Sequence, residues 1–425
     1  MSFKEWQTVT LEKVCSKITD GSHYSPKGIE VGYPMLTVKD MKDYGFDYSS
    51  CKRISENDFE TMIRNDCVPQ KDDVLIAKDG SYLKHVFTVE ESKEEAVLSS
   101  IAIFRPNQDI ITSNYLKYFI INPVTKKLIS ENYVSGSAIP RIVLKDFKKI
   151  KVKLPNLLEQ KAIAYILSTL DEKIEVNNQI NETLENMAQE LFKRWFVDFE
   201  FPNEDGEPYK SSGGEMIESE LGLIPKGWEL AQLENIANIT MGQSPKGTSY
   251  NENSEGEVFY QGRTDFNKRY PVRRLYTTEP KRMAKSGDIL MSVRAPVGDI
   301  NIANEACCIG RGLAALNSTS MTNSFLLYTM MNLRDNFNIY NGEGTIFGSI
   351  NQKELKTLKI IKPSEEQILN FENVVSKFDK EIYTLEMQAR LLKNFRNTLL
   401  PKLMSGEIRV PLEGLEESLT EVKGG

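Results

Sequence analysis

Phe371-Glu-Asn-Val-Val375-Ser-Lys-Phe378-Asp-Lys-Glu-Ile382-Tyr-Thr-Leu385-Glu-Met-Gln-Ala389-Arg-Leu-Leu392 is the stretch whose reading decides the fold. Its apolar residues Phe371, Val375, Phe378, Ile382, Leu385, Ala389 and Leu392 are spaced by alternating steps of four and three, the heptad seam of a helix. The stretch lies in a segment from Glu365 to Leu403, and a segment of the same kind runs from Leu157 to Trp195. In the earlier copy Ile163, Leu167, Leu170 and Ile174 keep step, Asn177 and Asn181 break it, and Leu184 and Leu191 resume it. At 1.5 Å per residue each copy predicts a helix of roughly 60 Å. A single apolar stripe of that length needs a partner, and the nearest candidate is the duplicate, packed antiparallel about a pseudo-two-fold axis. The two asparagines either fix register at a cost in stability, or lie where the supercoil opens or beside a partner protein.

Outward from the helices, the rest of the chain also repeats. Trp6 precedes Leu11-Glu12 and Val14 as Trp228 precedes Leu233-Glu234 and Ile236. Lys71-Asp-Asp73-Val-Leu-Ile76 is echoed by Lys285-Ser-Gly-Asp288-Ile-Leu-Met291. Ile150 aligns with Leu358, Pro155 with Pro363, Glu159-Gln160 with Glu366-Gln367, and Asp171 with Asp379. The order is therefore domain, helix, domain, helix. The domains read as mixed α/β: Val74–Ala77 and Ile101–Phe104 are short apolar runs typical of buried strands, and Asn114–Ile121 is a helix stopped before Pro123. Pro202-Asn-Glu-Asp-Gly-Glu-Pro208 and Ser211-Ser-Gly-Gly214 have the composition of a linker. Leu412-Glu-Gly-Leu-Glu-Glu417 reads as a loosely held acidic tail.

The 425 residues suffice for two or three domains. The start lacks the apolar core of a secretion signal, and no run approaches a membrane span. Five cysteines without C-x-x-C pairing point to a reduced, cytoplasmic setting, with no membrane partner. A net charge of −7 argues mildly against a lone nucleic-acid binder but leaves room for local basic faces, because charges are screened beyond about 10 Å.

No enzyme motif is present. The two histidines, His23 and His85, sit in no H-E-x-x-H, and no G-x-S-x-G elbow occurs. Gly242-Gln-Ser-Pro-Lys-Gly247-Thr248 imitates a P-loop but lacks the lysine that clamps phosphate. No metal-ligand cluster or N-P-P-Y-like methyltransferase motif is found. What remains is suited to DNA. Between Gln261 and Lys285, Arg263, Lys268, Arg269, Arg273, Arg274, Lys281, Arg282 and Lys285 face only Asp265 and Glu279, interleaved with Tyr260, Phe266, Tyr270 and Tyr276. Arginine forks suit guanine edges and phosphates. A comparable run, Arg141 to Lys153, holds Lys145, Lys148, Lys149 and Lys151, of which Lys148 to Lys153 fit a solvated strand face slightly better. Polar loops occupy matching places in the two copies: Ser22, His23, Tyr24 and Lys27 against Gln243, Ser244 and Lys246, and Ser137 with Arg141 against Thr345 with Ser349. Lys78, Ser81, Tyr82, Lys84 and Arg294 complete the candidate DNA-binding residues. No catalytic or metal-binding residue is proposed.

At this point the sequence resembles the specificity subunit of type I restriction-modification systems. The resemblance is carried by Leu154-Pro-Asn-Leu-Leu-Glu-Gln160 with Leu170-Asp171, Glu190-Leu-Phe-Lys-Arg-Trp-Phe-Val-Asp-Phe199, Ser219-Glu-Leu-Gly-Leu-Ile-Pro-Lys-Gly-Trp228 and Leu399-Leu-Pro-Lys-Leu-Met-Ser-Gly-Glu-Ile-Arg409. It implies an α/β (α+β) chain: target-recognition domains at 1–155 and 228–362, long helices at 156–199 and 363–404 forming an antiparallel coiled coil, a linker at 200–227 and a tail at 405–425. Each domain would read one half of a bipartite, asymmetric site in double-stranded DNA, with the helices setting the spacer. Glu159, Gln160, Trp195, Phe196, Glu366 and Gln367 would help dock two DNA methyltransferase subunits, through which motor-nuclease subunits join. The chain itself would be non-catalytic and bind no cofactor; S-adenosylmethionine, ATP and Mg2+ would belong to the partners, in the cytoplasm of a bacterium or archaeon, as a host-defence system. The competing reading is a coiled-coil adapter with protein-binding domains and no DNA contact.

Overall fold

The structure is a computed structural model that describes residues 5–79, 83–135, 141–341 and 348–411, with backbone only at 134, 135 and 141. The chain divides into two compact units: residues 1–178 with 386–425, and residues 179–385. Each holds one globular domain and a stretch of both long helices, Leu157–Phe192 and Glu365–Ser405.

In the first unit a four-stranded antiparallel sheet has the spatial order Cys15–Asp20, Ile101–Pro106, Val74–Ala77, Val86–Thr88. The two central strands are buried on both faces, which is why they read as unbroken apolar runs. Tyr33–Leu36 pairs in parallel with Ala96–Val97, and Gln7–Thr10 pairs with Lys151–Leu154. The helix Ser113–Ile121 is capped by Thr112, whose side chain accepts from the Tyr115 amide. That helix stops before Pro123 as expected, and Pro123 opens the next helix, Pro123–Asn132, at its first turn, with Asn122 as the cap.

The second unit repeats this plan. Its sheet order is Ala237–Met241, Leu313–Ser318, Ile289–Ser292, Ile300–Ile302. Glu257–Tyr260 lies parallel to Cys307–Ile309, and Glu229–Gln232 pairs with Lys359–Lys362. Even single bonds recur: the Leu11 amide donates to the Ile150 carbonyl, and the Leu233 amide to the Leu358 carbonyl, both at 2.9 Å. The Asp73 and Asp288 carboxylates each accept from the amide three residues earlier, at 2.8 Å.

Helix pairing is antiparallel within each unit. In the first, Asn177 meets Gln388, Asp171 meets Arg396, and Glu159 meets Arg409. In the second, Phe192 packs on Phe371 at 5.7 Å between ring centroids, and Glu185 and Asp379 share Arg269. The seam of the later helix follows its spacing from Phe371 to Ala389: Phe371, Val375, Ile382, Leu385 and Ala389 are buried, while Phe378 and Leu392 are half-buried. That of the earlier helix differs from Leu170 onward: Leu170 is half-buried and Asp171 is buried in its place, before Ile174 keeps step. Asn177 is buried in the seam and donates to Gln388 Oε1 at 2.8 Å. Further on, Ala188 and Phe192 are buried, while Leu184 and Leu191 are only half-buried.

The helices complete the cores of the domains. Ala162, Ile163, Leu167, Leu400, Leu403 and Met404 share one cluster with Leu11, Phe104 and Tyr115; Phe192, Phe196, Phe371 and Val375 share another with Leu316 and Phe325. Residues 200–227, which the composition marks as a linker, are ordered. Phe201 is buried, stacked on Tyr209 at 4.6 Å and on Trp228 at 5.0 Å, and Met216–Ser219 pairs with Gly222–Pro225 as a hairpin. Three aromatic rings thus outweigh the turn-rich composition around them. Arg409 and Val410, within the expected tail, also pack: Arg409 lies over the Trp6 ring and binds Glu159. Leu412–Glu417 lies outside the described residues. No helix among the described residues is long and apolar enough to cross a membrane.

Candidate nucleic-acid interface

One end of the central sheet gathers the polar loops in each domain. In the second domain, the strand Ala237–Met241 ends there, Ile289–Ser292 ends there, and Leu313–Ser318 begins there. Gly242 makes the closure: its amide donates to the Leu313 carbonyl at 2.9 Å and the Gln243 amide to the Ile309 carbonyl at 3.0 Å. A Cβ on Gly242 would stand 2.1 Å from the Gly310 carbonyl oxygen, so only glycine fits. The Arg311 amide donates to Ser244 Oγ, the Val293 amide to the Gly312 carbonyl, and the Gly310 amide to the Tyr260 carbonyl. Gln243, Gln261, Arg294, Arg311 and Ser349 are exposed on this end. Among the described residues neither the Arg294 nor the Arg311 guanidinium is held in an ion pair. Arginine and glutamine are the side chains whose paired donors and acceptors match guanine and adenine edges.

The first domain has the same end with different side chains. Gly21 occupies the place of Gly242, and a Cβ there would stand 2.1 Å from the Val97 carbonyl oxygen. Its amide donates to Ile101, and that of Ser22 to Val97. His23, Tyr24 and Lys27 are exposed beyond it, with Lys39 on the adjoining 3-10 turn Val38–Asp40. Ser22 itself is buried, tied by its hydroxyl to the Tyr24 backbone. Lys78 reaches the same end but is buried, with Nζ 3.2 Å from Asp20 and 3.4 Å from Asp79, so its charge is neutralised inside. Arg141 lies in the strand Arg141–Ile142, whose Ile142 amide donates to the Lys78 carbonyl. Lys84 is exposed. Ser81, Tyr82, Ser137 and Thr345 lie outside the described residues.

The arginine-rich stretch changes meaning in three dimensions. Arg269 is buried, bound to Asp379 and, at 3.2 Å, to Glu185. Burial alone disfavours its charge, but Tyr328, Asp379 and Glu185 reverse that and leave its pKa raised. Arg273 forms a fork on Glu305 at 2.5 and 2.7 Å, Arg274 binds the buried Asp265, and Arg263 and Arg334 share Asp299. The carboxylates that compensate three of these arginines are 32 to 110 residues distant in sequence, which a local charge count misses. Arg269 therefore leaves the candidate set. Lys246 and Lys268 remain exposed. Arg311, Gln261 and Lys39 join on topology alone.

The residues expected to dock a partner separate in the same way. Gln160 is buried and bridges the Thr112 amide and the Ile110 and Pro155 carbonyls. Glu159 is buried and holds Arg409 and Trp6. Phe196 is buried between Phe325, Phe371 and Trp228, with half-buried Trp195 beside it. These four build the unit rather than a free surface; Gln367 is half-buried and Glu366 alone is fully exposed.

The same domain built twice around one polar sheet end, with glycine at the same turn, sets the comparison with known proteins. The profile of the type I restriction modification DNA specificity domain matches residues 3–186 and again 225–391. The chain belongs to the family of type I restriction-modification specificity subunits. Within that family it is 30% identical over 418 residues to the MjaX type I restriction enzyme specificity subunit of Methanocaldococcus jannaschii, covering 96% of this chain and 94% of the relative. It is 26% identical over 435 residues to the MjaIX specificity subunit of the same organism, with the same coverage. In fold it is similar to the S subunit of the type I restriction-modification system from M. genitalium, with a TM-score of 0.62 at 15% identity over 94% of this chain and 96% of that one. As in the family, two DNA specificity domains stand in tandem, with a long helix between them.

Proposed function

We propose that this specificity subunit reads a bipartite, asymmetric site in double-stranded DNA, one half with each polar sheet end, and catalyses no reaction itself. The observation that carries this reading is one scaffold bearing two different sets of exposed side chains: His23, Tyr24 and Lys39 on one copy, Gln243, Arg294 and Arg311 on the other. A scaffold kept in plan while its exposed loop residues change suits two readers of different targets. The long helices set the spacer and offer exposed residues such as Glu366, Tyr165 and Leu391 to two methyltransferase subunits. S-adenosylmethionine sits on those subunits, ATP and Mg2+ on the motor-nuclease subunits.

Selection of duplexes from a random pool by the purified chain, alone and with its methyltransferase partner, tests this directly. The expected result is a two-part consensus with a fixed gap and an affinity that falls steeply with salt. Binding without sequence preference at any salt would favour an adapter and overturn the reading. Methylation or cleavage by the chain alone would overturn its non-catalytic part.

A further inference from the structure

We propose that Asp171 and Asp379 are positioning residues that fix how each specificity domain is seated on its own stretch of long helix, and thereby which half-site spacing the subunit accepts. The inference rests on the DNA-reading function above. The two carboxylates stand at the same turn of their helices, each sixteen residues after a proline, Pro155 or Pro363. Each accepts a hydroxyl from a helix of its domain: Tyr118 donates to Asp171 Oδ2 at 2.7 Å, and Tyr328 to Asp379 Oδ1 at 3.1 Å. Each is also reached from the segment that leaves the polar sheet end. After the turn Val38–Asp40, Tyr44 puts its hydroxyl 3.5 Å from Asp171; after the turn Arg263–Asp265, Arg269 binds Asp379. The other long helix closes each hub, by Arg396 on Asp171 at 2.5 Å and by Glu185 on Arg269 at 3.2 Å.

Thus reading segment, domain helix and both long helices converge on the Asp171 carboxylate in the first unit, and on the linked pair Asp379 and Arg269 in the second. The tyrosine is kept between copies while the cations change their origin: in the first unit they come from the later long helix, as Arg396, and from the domain helix, as Lys117 at 3.6 Å, and in the second from the reading segment, as Arg269. A hub retained while its cation is exchanged answers to a geometric demand. In the second unit the reason is visible. The reading segment lies beside a cavity of about 770 Å³ whose walls include Glu185, Gln189, Arg263, Lys268 and Tyr328. Across that gap polar struts hold the segment, beside the packing of Tyr270 on Tyr383 of the later long helix at 5.6 Å between ring centroids. Buried ion pairs add little net stability but specify one arrangement, because a directional bond does not tolerate the sliding that apolar surfaces allow.

The test uses the full-length subunit with its methyltransferase partner and duplexes carrying its own site with the gap shortened or lengthened by one base pair. Wild type rejects the altered gaps. Tyr328→Phe, which removes one oxygen from a filled core position, and Arg269→Lys, which keeps the charge but loses the fork, are expected to weaken that rejection about tenfold. Affinity for either isolated half-site stays within about threefold. Tyr118→Phe with Tyr44→Phe gives the mirror effect from the other domain. Unchanged rejection in these variants, or equal loss at both half-sites, overturns the inference. If wild type itself shows no sequence preference, the reading function fails instead. Asp379→Asn extends the series, and should it not fold, the tyrosine variants decide.

Discussion

Gly242→Ala puts the closure of the second polar end under test. The added Cβ would stand 2.1 Å from the Gly310 oxygen and 2.8 Å from the Leu313 oxygen, where ordinary contact begins at 3.4 Å. Both obstacles are backbone atoms, Leu313 at the start of a sheet strand and Gly310 in the turn before it, so neither can rotate aside. The segments must separate by about 1.3 Å, which strains or breaks the bonds from Gly242 to Leu313 and from Gln243 to Ile309. Overpacking of this kind costs about 1–3 kcal/mol and each of the two lost hydrogen bonds about 1 kcal/mol, giving roughly 3–5 kcal/mol in all. For a unit of about 200 residues, 1 kcal/mol moves the midpoint by about 2–4 °C, so a fall of roughly 6–20 °C is expected in calorimetry. Duplexes altered in one half-site at a time should show discrimination lost in the second half and kept in the first. A midpoint within 2 °C of wild type (about 1 kcal/mol or less) with both halves still discriminated would refute the reasoning.

Arg311→Ala removes a guanidinium held by no ion pair among the described residues, so it should leave thermal stability unchanged while weakening the second half-site about ten- to hundredfold, measurable by fluorescence anisotropy. Phe201→Ala, opening a hole between Tyr209 and Trp228, should cost about 3–5 kcal/mol in denaturant unfolding. A free tether at this position would lose almost nothing. Burial pushes the Cys307 thiol from its ordinary value near 9 up to about 12. The unfolded thiol loses its proton first, so stability is undiminished below pH 9 and falls as pH rises from 9 towards 12. Alkylation at pH 9 should spare Cys307 until the chain is unfolded, and rapid labelling of the native protein would contradict its burial.

The seam from Phe371 to Ala389 is legible because helix periodicity is a local property of the chain, and the tandem plan is legible because Trp6 and Trp228, or Ile150 and Leu358, keep their spacing. The earlier helix is read less well: its seam passes through Asp171, Asn177 and Ala188, residues that an apolar count discards. The ordered join after Phe199 is hidden because its stability comes from Trp228, beyond the turn-rich stretch. The interface suffers most. Arg273 and Arg263 look free until Glu305 and Asp299 arrive from the loops on either side of the strand Ile300–Ile302. Arg311, between two glycines, looks like any loop residue until the sheet order brings it beside Ser244. Residue type and spacing show which elements form; only topology shows which charges are left over.

The split of the first unit has a consequence for biosynthesis. Its core takes Leu400, Leu403 and Met404 from the far end of the sequence, whereas the second unit is one unbroken stretch, 179–385. A ribosome releases the chain from its amino end, so the domain made first is the last to be finished. Until residue 404 emerges, Leu11, Phe104 and Tyr115 face an incomplete wall, exposed to chaperones and proteases. A nonsense mutation between residues 386 and 400 would therefore cripple the early-made domain and spare the late-made one, reversing the usual polarity of truncation.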